Sequence, residues 1–220
     1  MDAVARRRFR SLPVAAALAA LALPPAAGRA DDRFVNVAME DQYRNRRETG
    51  VHRGDMVVLV YADRKGAEAA LELGRRLHVQ FHPTAATAAP SEWARQPVTG
   101  LPGWPANVRV PDVHVIPVAC LPEVPKPLEA VVRSRMRTDS PQVPVWLDFE
   151  GVMEQKFGVA PGCPNVAVID TFGRACGVQN GHFDELEFRR LAATIDEIRM
   201  QAAPPVAPVR QAAAAAAPVR

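Results

Sequence analysis

The sequence predicts an α/β fold in which helices cover both faces of a central mixed sheet. Its clearest element is Met56 to Tyr61, six apolar residues in a row, several of them β-branched. Such a run is typical of a strand buried on both faces, as in the middle of a parallel sheet. Strands and helices then alternate before a closing hairpin and helix, an order that favours a three-layer α/β/α arrangement.

Local patterns predict the individual elements. Ala67 to Leu77 places Ala70, Leu73 and Leu77 at helical spacing, with helix-favouring Glu and Arg between them. Pro117 limits the pairing of the next strand. The further predicted elements are an edge strand at 34–37, strand 113–118, helix 128–136 with Arg133, Arg135 and Arg137 on its outer side, strand 143–147, helix 152–157, strands 166–169 and 175–178, and helix 183–200.

Residues 79–110 are the least regular part of the predicted domain. Several prolines interrupt the segment, which also contains Trp93 and Trp104. Ser91 to Arg95 is a candidate short helix, because Ser91 can cap its N-terminus. We expect a long ordered loop here, and such loops often carry function.

Residues 1–30 have the layout of a bacterial secretory signal. A basic start precedes the short apolar run Leu12 to Leu23, and Gly28-Arg29-Ala30 offers a small-residue cleavage site. About twelve apolar residues are too few to span a bilayer, so we expect no stable membrane span. Arg6-Arg7-Arg8-Phe9 also partly resembles a twin-arginine signal. The predicted location is therefore the periplasm or the exterior of the cell.

Removing this segment changes the electrostatic balance of the chain. Residues 1–30 hold five Arg and one Asp, so the net charge of +3 for the whole chain becomes −1 for residues 31–220. Nucleic-acid binding needs a concentrated basic face, so we expect no nucleic-acid partner. The remainder divides into one domain at 31–201 and a tail at 202–220, rich in Ala, Pro and Val, that we predict to be disordered.

The segment Phe157 to Arg174, FGVAPGCPNVAVIDTFGR, is the most specific motif of the chain. A turn rich in Gly and Pro leads through Cys163 and Pro164 into an apolar strand and a hairpin. This pattern resembles the second half of a thioredoxin-like domain of the redoxin type, the group that includes TlpA-like reductases and peroxiredoxins. The resemblance covers roughly residues 34–200. It implies that Pro164 is a cis-proline that precedes an antiparallel strand.

The same resemblance places the active site of redoxins at the start of the first helix. With Val60 to Asp63 at the end of the central strand, Lys65 to Glu68 stands where redoxins carry their cysteines. Thiol–disulfide exchange requires a thiolate and a second sulfur, and neither Lys nor Glu supplies one. Lys65, Glu68 and Pro164 are therefore candidate binding residues. The alternative for Lys65 and Glu68 is a solvated ion pair on the first helical turn.

The three cysteines are the remaining candidates for redox chemistry. We expect Cys176 to lie opposite Ala167, about 13 Å along the strand from Cys163, whereas a disulfide allows roughly 4.4–6.8 Å between Cα atoms. A bridge between Cys120 and Cys163 would need a rearranged loop. Cys163 and Cys120 stay weak catalytic candidates, each as a single thiol.

The histidines and acidic residues predict no metal site, and no cofactor is expected. His78 and His82 are spaced i,i+4, but Val79 to Pro83 has the composition of a helix exit, where that spacing loses its meaning. Asp148 and Asp170 fall at predicted turns, where Asp commonly accepts backbone hydrogen bonds.

Three functions compete on these observations. The favoured one is an exported thioredoxin-fold protein without a dithiol, a binding or assembly module that contacts other envelope proteins or an extended peptide around Lys65, Glu68 and Pro164. The alternative is a thiol-dependent oxidoreductase or peroxidase that uses Cys163 or Cys120. A third is a scaffold whose loop and tail tether it to the envelope.

Overall fold

The computed structural model of the protein describes residues 34–203. The predicted signal at 1–30 and almost all of the tail at 202–220 lie outside the described residues. The strands are β1 (Ala38–Asp41), β2 (Arg46–Glu48), β3 (Met56–Ala62), β4 (Val113–Cys120), β5 (Trp146–Asp148), β6 (Asn165–Ile169) and β7 (Ala175–Asn180). The α-helices are α1 (Ala67–Phe81), α2 (Glu129–Asp139), α3 (Val152–Phe157) and α4 (Glu185–Gln201).

Across residues 34–203, these strands form one mixed sheet in the order β2-β1-β5-β4-β3-β6-β7. β3 lies between β4, to which it is parallel, and β6, to which it is antiparallel. Parallel pairing continues from β4 to β5, whereas β1, β2 and β7 join antiparallel. The predicted mixed sheet is confirmed, and the fully buried β3 is one of its interior strands.

The side chains of β3 point alternately into two separate cores. Met56 and Val58 pack on the face that α1 and α4 cover. Val57 and Leu59 pack on the opposite face, against Met153 of α3. Each fully buried side chain of this kind contributes about 1.5–3 kcal/mol. Helices therefore cover both faces of the sheet, as the sequence predicts.

The N-terminal strand begins later than predicted. Phe34 makes an isolated antiparallel bridge to Arg174, and β1 starts only at Ala38. The Asp41 carboxylate accepts the backbone N–H groups of Tyr43 and Asn45, which fixes the turn between β1 and β2. A two-stranded hairpin thus forms in place of the single edge strand that the sequence predicts.

The prediction that Arg133 lies on the outer side of its helix was wrong. Its guanidinium is buried, donates to the Asp41 carbonyl at 2.8 Å and lies 2.9 Å from a carboxylate oxygen of Glu40. The end of β1 therefore offers both a carbonyl and a carboxylate. This pair of acceptors satisfies an Arg that helical spacing alone assigned to solvent.

The segment between α1 and β4 is an ordered loop attached to α4. A 3-10 helix at Pro90–Arg95 stands where the sequence predicts a short helix. Arg199 of α4 is fully buried and donates to the carbonyls of Thr99, at 3.1 Å, and Pro111, at 2.9 Å. The loop is thereby fixed to α4 at two points, residues 99 and 111.

Candidate functional site

The end of β3 and the start of β6 meet at the place that the sequence singles out. In the antiparallel register of these strands, Tyr61 pairs with Asn165. Continuing past both strands brings Asp63 to Gly66 against the turn before Pro164. The predicted juxtaposition of the first helix and the proline-led hairpin therefore exists.

Asp63 links the two segments. Its carboxylate accepts the backbone N–H groups of Lys65 at 3.0 Å and Gly66 at 2.8 Å, and that of Gly162 at 3.0 Å. The hydrogen bond from Gly66, followed by those from Gly162 and Lys65, holds the pKa of this carboxyl below its usual value. A charged Asp63 therefore fixes the residues just before α1 and ties the turn at Gly162 to them.

Gly66 brings the two backbones into direct contact. A Cβ atom added at Gly66 would lie 2.6 Å from the Cys163 carbonyl oxygen and 2.8 Å from the carbonyl carbon. Real Cβ atoms do not approach backbone so closely, so glycine is required for this contact. The start of α1 consequently rests on the peptide unit that precedes Pro164.

Asn165 organises the turn from inside, and sequence reasoning missed it. It is buried, and its side-chain amide nitrogen lies 3.0 Å from the Cys163 carbonyl and 3.1 Å from the Ala160 carbonyl. Its side-chain oxygen accepts the Ala160 N–H at 2.8 Å. The available signal was a single polar residue at the start of an apolar strand, because such a residue must find partners when buried.

The predicted binding residues differ in exposure. Lys65 and Glu68 are exposed, whereas Pro164 is buried. No ion pair joins Lys65 to Glu68 among the described residues. The exposed residues around this point, Lys65, Glu68, Pro161 and Gly162, are called the helix-start surface below.

The prediction of a cis-proline at Pro164 was wrong. Residues 34–203 contain no cis peptide bond. Gly162 instead adopts φ of +74° and reverses the chain before the strand, a conformation that glycine adopts without strain. The Pro164 carbonyl accepts the Gly181 N–H at 3.1 Å, which continues the pairing of β6 with β7.

All three cysteines lie within the described residues, and each is free. Burial, followed by the charge of Asp148, raises the pKa of the Cys120 thiol to about 12, and burial raises that of Cys176 to about 11. The Cys163 thiol lies 3.5 Å from the Ala160 carbonyl. Thiolates are the reactive form, so Cys120 and Cys176 are poorly suited to catalysis.

The predicted position of Cys176 was wrong, and a β-bulge in the ladder of β6 and β7 is part of the reason. Val178, not Cys176, lies opposite Ala167. The hairpin pairs Ile169 with Ala175, which accounts for one of the two positions, and the register shift between Val168 and Ile169 accounts for the other. The extra residue in β7 displaces every later partner by one position.

The Tyr61 hydroxyl lies in the core beneath this site. It is buried and makes no hydrogen bond within the described part of the chain. Burial, followed by the negative potential of Cys120, raises its pKa. Tyr61 therefore stays protonated and offers no base to the site.

Two histidine pairs flank the other end of β3 and β4. The predicted helix exit at 79–83 is found within that range, since α1 ends at Phe81 and His82 is its C-cap. The expectation that the i,i+4 spacing loses its meaning there was wrong, because the rings of His78 and His82 stack with centroids 4.5 Å apart. The rings of His52 and His114 lie 4.1 Å apart. Within residues 34–203, no group of three or more His, Cys, Asp or Glu is placed to hold a metal ion.

The lowered pKa values of histidines in these pairs predict that acid destabilises the folded protein. Burial, followed by the charge of His114, lowers the pKa of His52 to about 4, and burial also lowers that of His78. A histidine whose folded pKa lies below its unfolded value of about 6.5 contributes stability above that pH and loses it as the pH falls. For His52 we expect the free energy of unfolding to fall by about 1–2 kcal/mol as the pH falls from about 6.5 to 4. This is less than the full pKa shift would give, because the ring is partly exposed and solvent screens its charge.

Urea unfolding at several pH values checks this prediction. His52→Gln removes the titrating ring and should flatten the pH profile of the unfolding free energy by that amount. An equally steep profile in wild type and His52→Gln would contradict it.

Comparisons with known proteins concern the fold. No protein-family model and no curated protein match the sequence. A thioredoxin-like superfamily protein of known structure superposes with a TM-score of 0.50 at 14% identity, over 78% of this chain and 100% of that one. An exposed lipoprotein thioredoxin from Streptococcus pneumoniae gives a TM-score of 0.47 at 14% identity, over 73% and 99% of the two chains. A putative thiol:disulfide interchange protein DsbE from Chlorobium tepidum gives 0.47 at 15% identity, over 77% and 97%.

The protein therefore has a thioredoxin-like fold, as the resemblance implied. The described residues contain no close pair of cysteines.

Proposed function

We propose that this protein is a binding or assembly module of the cell envelope that does not catalyse thiol exchange. The observation that carries the proposal is the start of α1. Asp63 and Gly66 lock that helix to the turn before Pro164, and residues 63–68 contain no cysteine. Exchange chemistry needs an attacking thiolate and a resolving sulfur, whereas a rigid, charged helix start is suited to recognition.

The proposed contact is the helix-start surface, and the proposed partner is an extended segment of another envelope protein. Lys65 and Glu68 present opposite charges to solvent beside the exposed Pro161–Gly162 turn. Pro164 is buried, so its proposed role is to support the Pro161–Gly162 turn while the exposed residues meet the partner. The net charge of −1 over residues 31–220 argues against nucleic acid as the partner.

The proposed location follows from residues 1–30, which we interpret as an export signal, with the twin-arginine route as an option. Within residues 34–203, no helix is both long and apolar enough to cross a membrane.

A second candidate function is a thiol-dependent enzyme. Cys163 favours it, because this half-buried, free cysteine contributes the backbone on which Gly66 rests. Cys120 argues against it, because burial raises its thiol pKa to about 12.

Photocrosslinking tests the binding function. A photoreactive amino acid at Lys65 should give a discrete crosslinked band in intact cells, and the same group at Glu197, exposed on α4, should not. Lys65→Glu with a crosslinker at Glu68 should reduce the band several-fold, because the charge presented to the partner is reversed. Identical bands from Lys65 and Glu197 would count against the proposed surface.

Thiol chemistry separates the two candidate functions. Under the binding proposal, the protein neither reduces insulin nor consumes peroxide, and Cys163→Ser crosslinks as the wild type does. Alkylation of Cys163 well below about pH 7, against the usual thiol pKa near 8.5, would instead favour the enzyme.

A further inference from the structure

α2 carries apolar side chains on its outer side as well as on its inner side. Leu128, its N-cap, is 51% exposed, and Val131 is 63% exposed. The inner side consists of the half-buried Val132 and Met136 and of Arg133, which is the residue that α2 buries. A surface helix of a globular domain ordinarily keeps its outer side polar. The outer apolar pair on α2 departs from that pattern.

The β1–β2 hairpin brings further cations beside this helix. Arg133 donates to the Asp41 carbonyl at 2.8 Å, which fixes the end of β1 against α2. Arg44, in the turn of the hairpin, and Lys126, just before α2, line one open depression of about 290 Å³. Both side chains are exposed. Folding therefore joins the Arg-rich hairpin to the Arg-rich helix, which are far apart in the chain.

The carboxylates of the depression are already engaged. Glu40 and Glu129, which also line it, lie 2.9 Å and 4.0 Å from the guanidinium of Arg133. Within residues 34–203, no carboxylate pairs with Arg44 or Lys126. These two cations are thus available to an anionic partner.

Positive charge is concentrated on this side of the domain. Segments 38–48 and 126–139 hold six Arg, one Lys and five carboxylates, a net charge of +2, whereas residues 31–220 as a whole carry −1. A site for a single phosphate group would need donors that converge on it, and here two carboxylates share the depression with the cations. Basic side chains spread beside outward apolar ones are instead typical of a helix that lies in a bilayer interface.

We propose that Arg44, Lys126, Leu128 and Val131, called the α2 surface below, dock the protein on an anionic phospholipid bilayer. The two cations meet the headgroup phosphates, and the two apolar side chains enter the interface beside them. The α2 surface shares no residue with the helix-start surface, so this docking goes beyond the proposed binding function.

Vesicle flotation of the full exported chain tests the proposal. Vesicles of phosphatidylglycerol and phosphatidylcholine in equal parts should float the wild type, and added salt should release it because salt screens the charges. Lys126→Gln combined with Val131→Ser should lower the partition coefficient by about tenfold, since one charge and one apolar side chain are lost.

Arg190→Gln combined with Leu186→Ser is the matched control on α4. Leu186 is 56% exposed and Arg190 is exposed, so this variant also removes one cation and one outward apolar side chain. Its partition coefficient should stay within about twofold of wild type. All four replaced side chains except that of Lys126 and Arg190 are apolar and exposed, and the urea midpoint of each variant verifies that it is folded.

Equal losses in the two double variants would overturn the proposal, and so would equal flotation on vesicles of phosphatidylcholine alone. A photoreactive amino acid at Val131 should label phospholipid in intact cells. A discrete protein band from Val131 would instead assign the α2 surface to an acidic protein and overturn the docking on lipid. The vesicles contain no protein partner, so failure here is distinct from failure of the proposed binding function.

Discussion

Replacement of Arg199 by methionine is expected to lower the free energy of unfolding by about 3–5 kcal/mol. The fully buried guanidinium donates to the carbonyls of Pro111 at 2.9 Å and Thr99 at 3.1 Å, and it pairs with Asp196 at 2.7 Å. Methionine retains packing near Phe81 but leaves both carbonyls without their donor, and an unmade buried hydrogen bond is costly. Urea unfolding at neutral pH measures the loss.

Arg189→Met is the matched control on the same helix. Arg189 is 74% exposed and pairs with Glu185 one turn away, so its loss should cost less than about 0.5 kcal/mol. Both variants remove one positive charge and introduce the same residue. A loss at Arg199 no larger than the loss at Arg189 would contradict the role of Arg199 in holding the loop.

Sequence periodicity predicted β3 and α1 because their patterns are local. Arg199 could not be found in this way. It is one of several Arg residues on α4, and Arg is common in the last turn of a helix. Its carbonyl partners Thr99 and Pro111 are 100 and 88 residues away in the chain. Only the assembled fold brings them to the guanidinium.

The candidate site was predictable in outline but not in mechanism. The resemblance placed the helix start beside Pro164, and the register of β3 with β6 brings them together. It did not predict the role of Asn165, because the loop carbonyls that accept its hydrogen bonds are brought to its side chain only by folding. The bulge that displaces Cys176 has no sequence signal either, since any residue can occupy the extra position.

Gly66→Ala is expected to destabilise the protein by about 2–3 kcal/mol, because the added methyl group overpacks the site. The methyl carbon would lie 2.6 Å from the Cys163 carbonyl oxygen and 2.9 Å from the Cys163 nitrogen. These atoms are backbone, so relief requires the turn or the start of α1 to move. Urea unfolding measures the loss, and the crosslink from Lys65 should weaken with it if the helix-start surface is the contact.

Gly74→Ala, within α1, should have the opposite sign. A Cβ atom there meets nothing within 4 Å, so alanine should stabilise the helix by about 0.5–1 kcal/mol. The two variants make the same chemical change, one at the start of α1 and one within it, and differ in the contact with Cys163. Stabilisation by both would mean that α1 does not rest on the turn before Pro164. The proposal of a rigid recognition surface would then lose its physical basis.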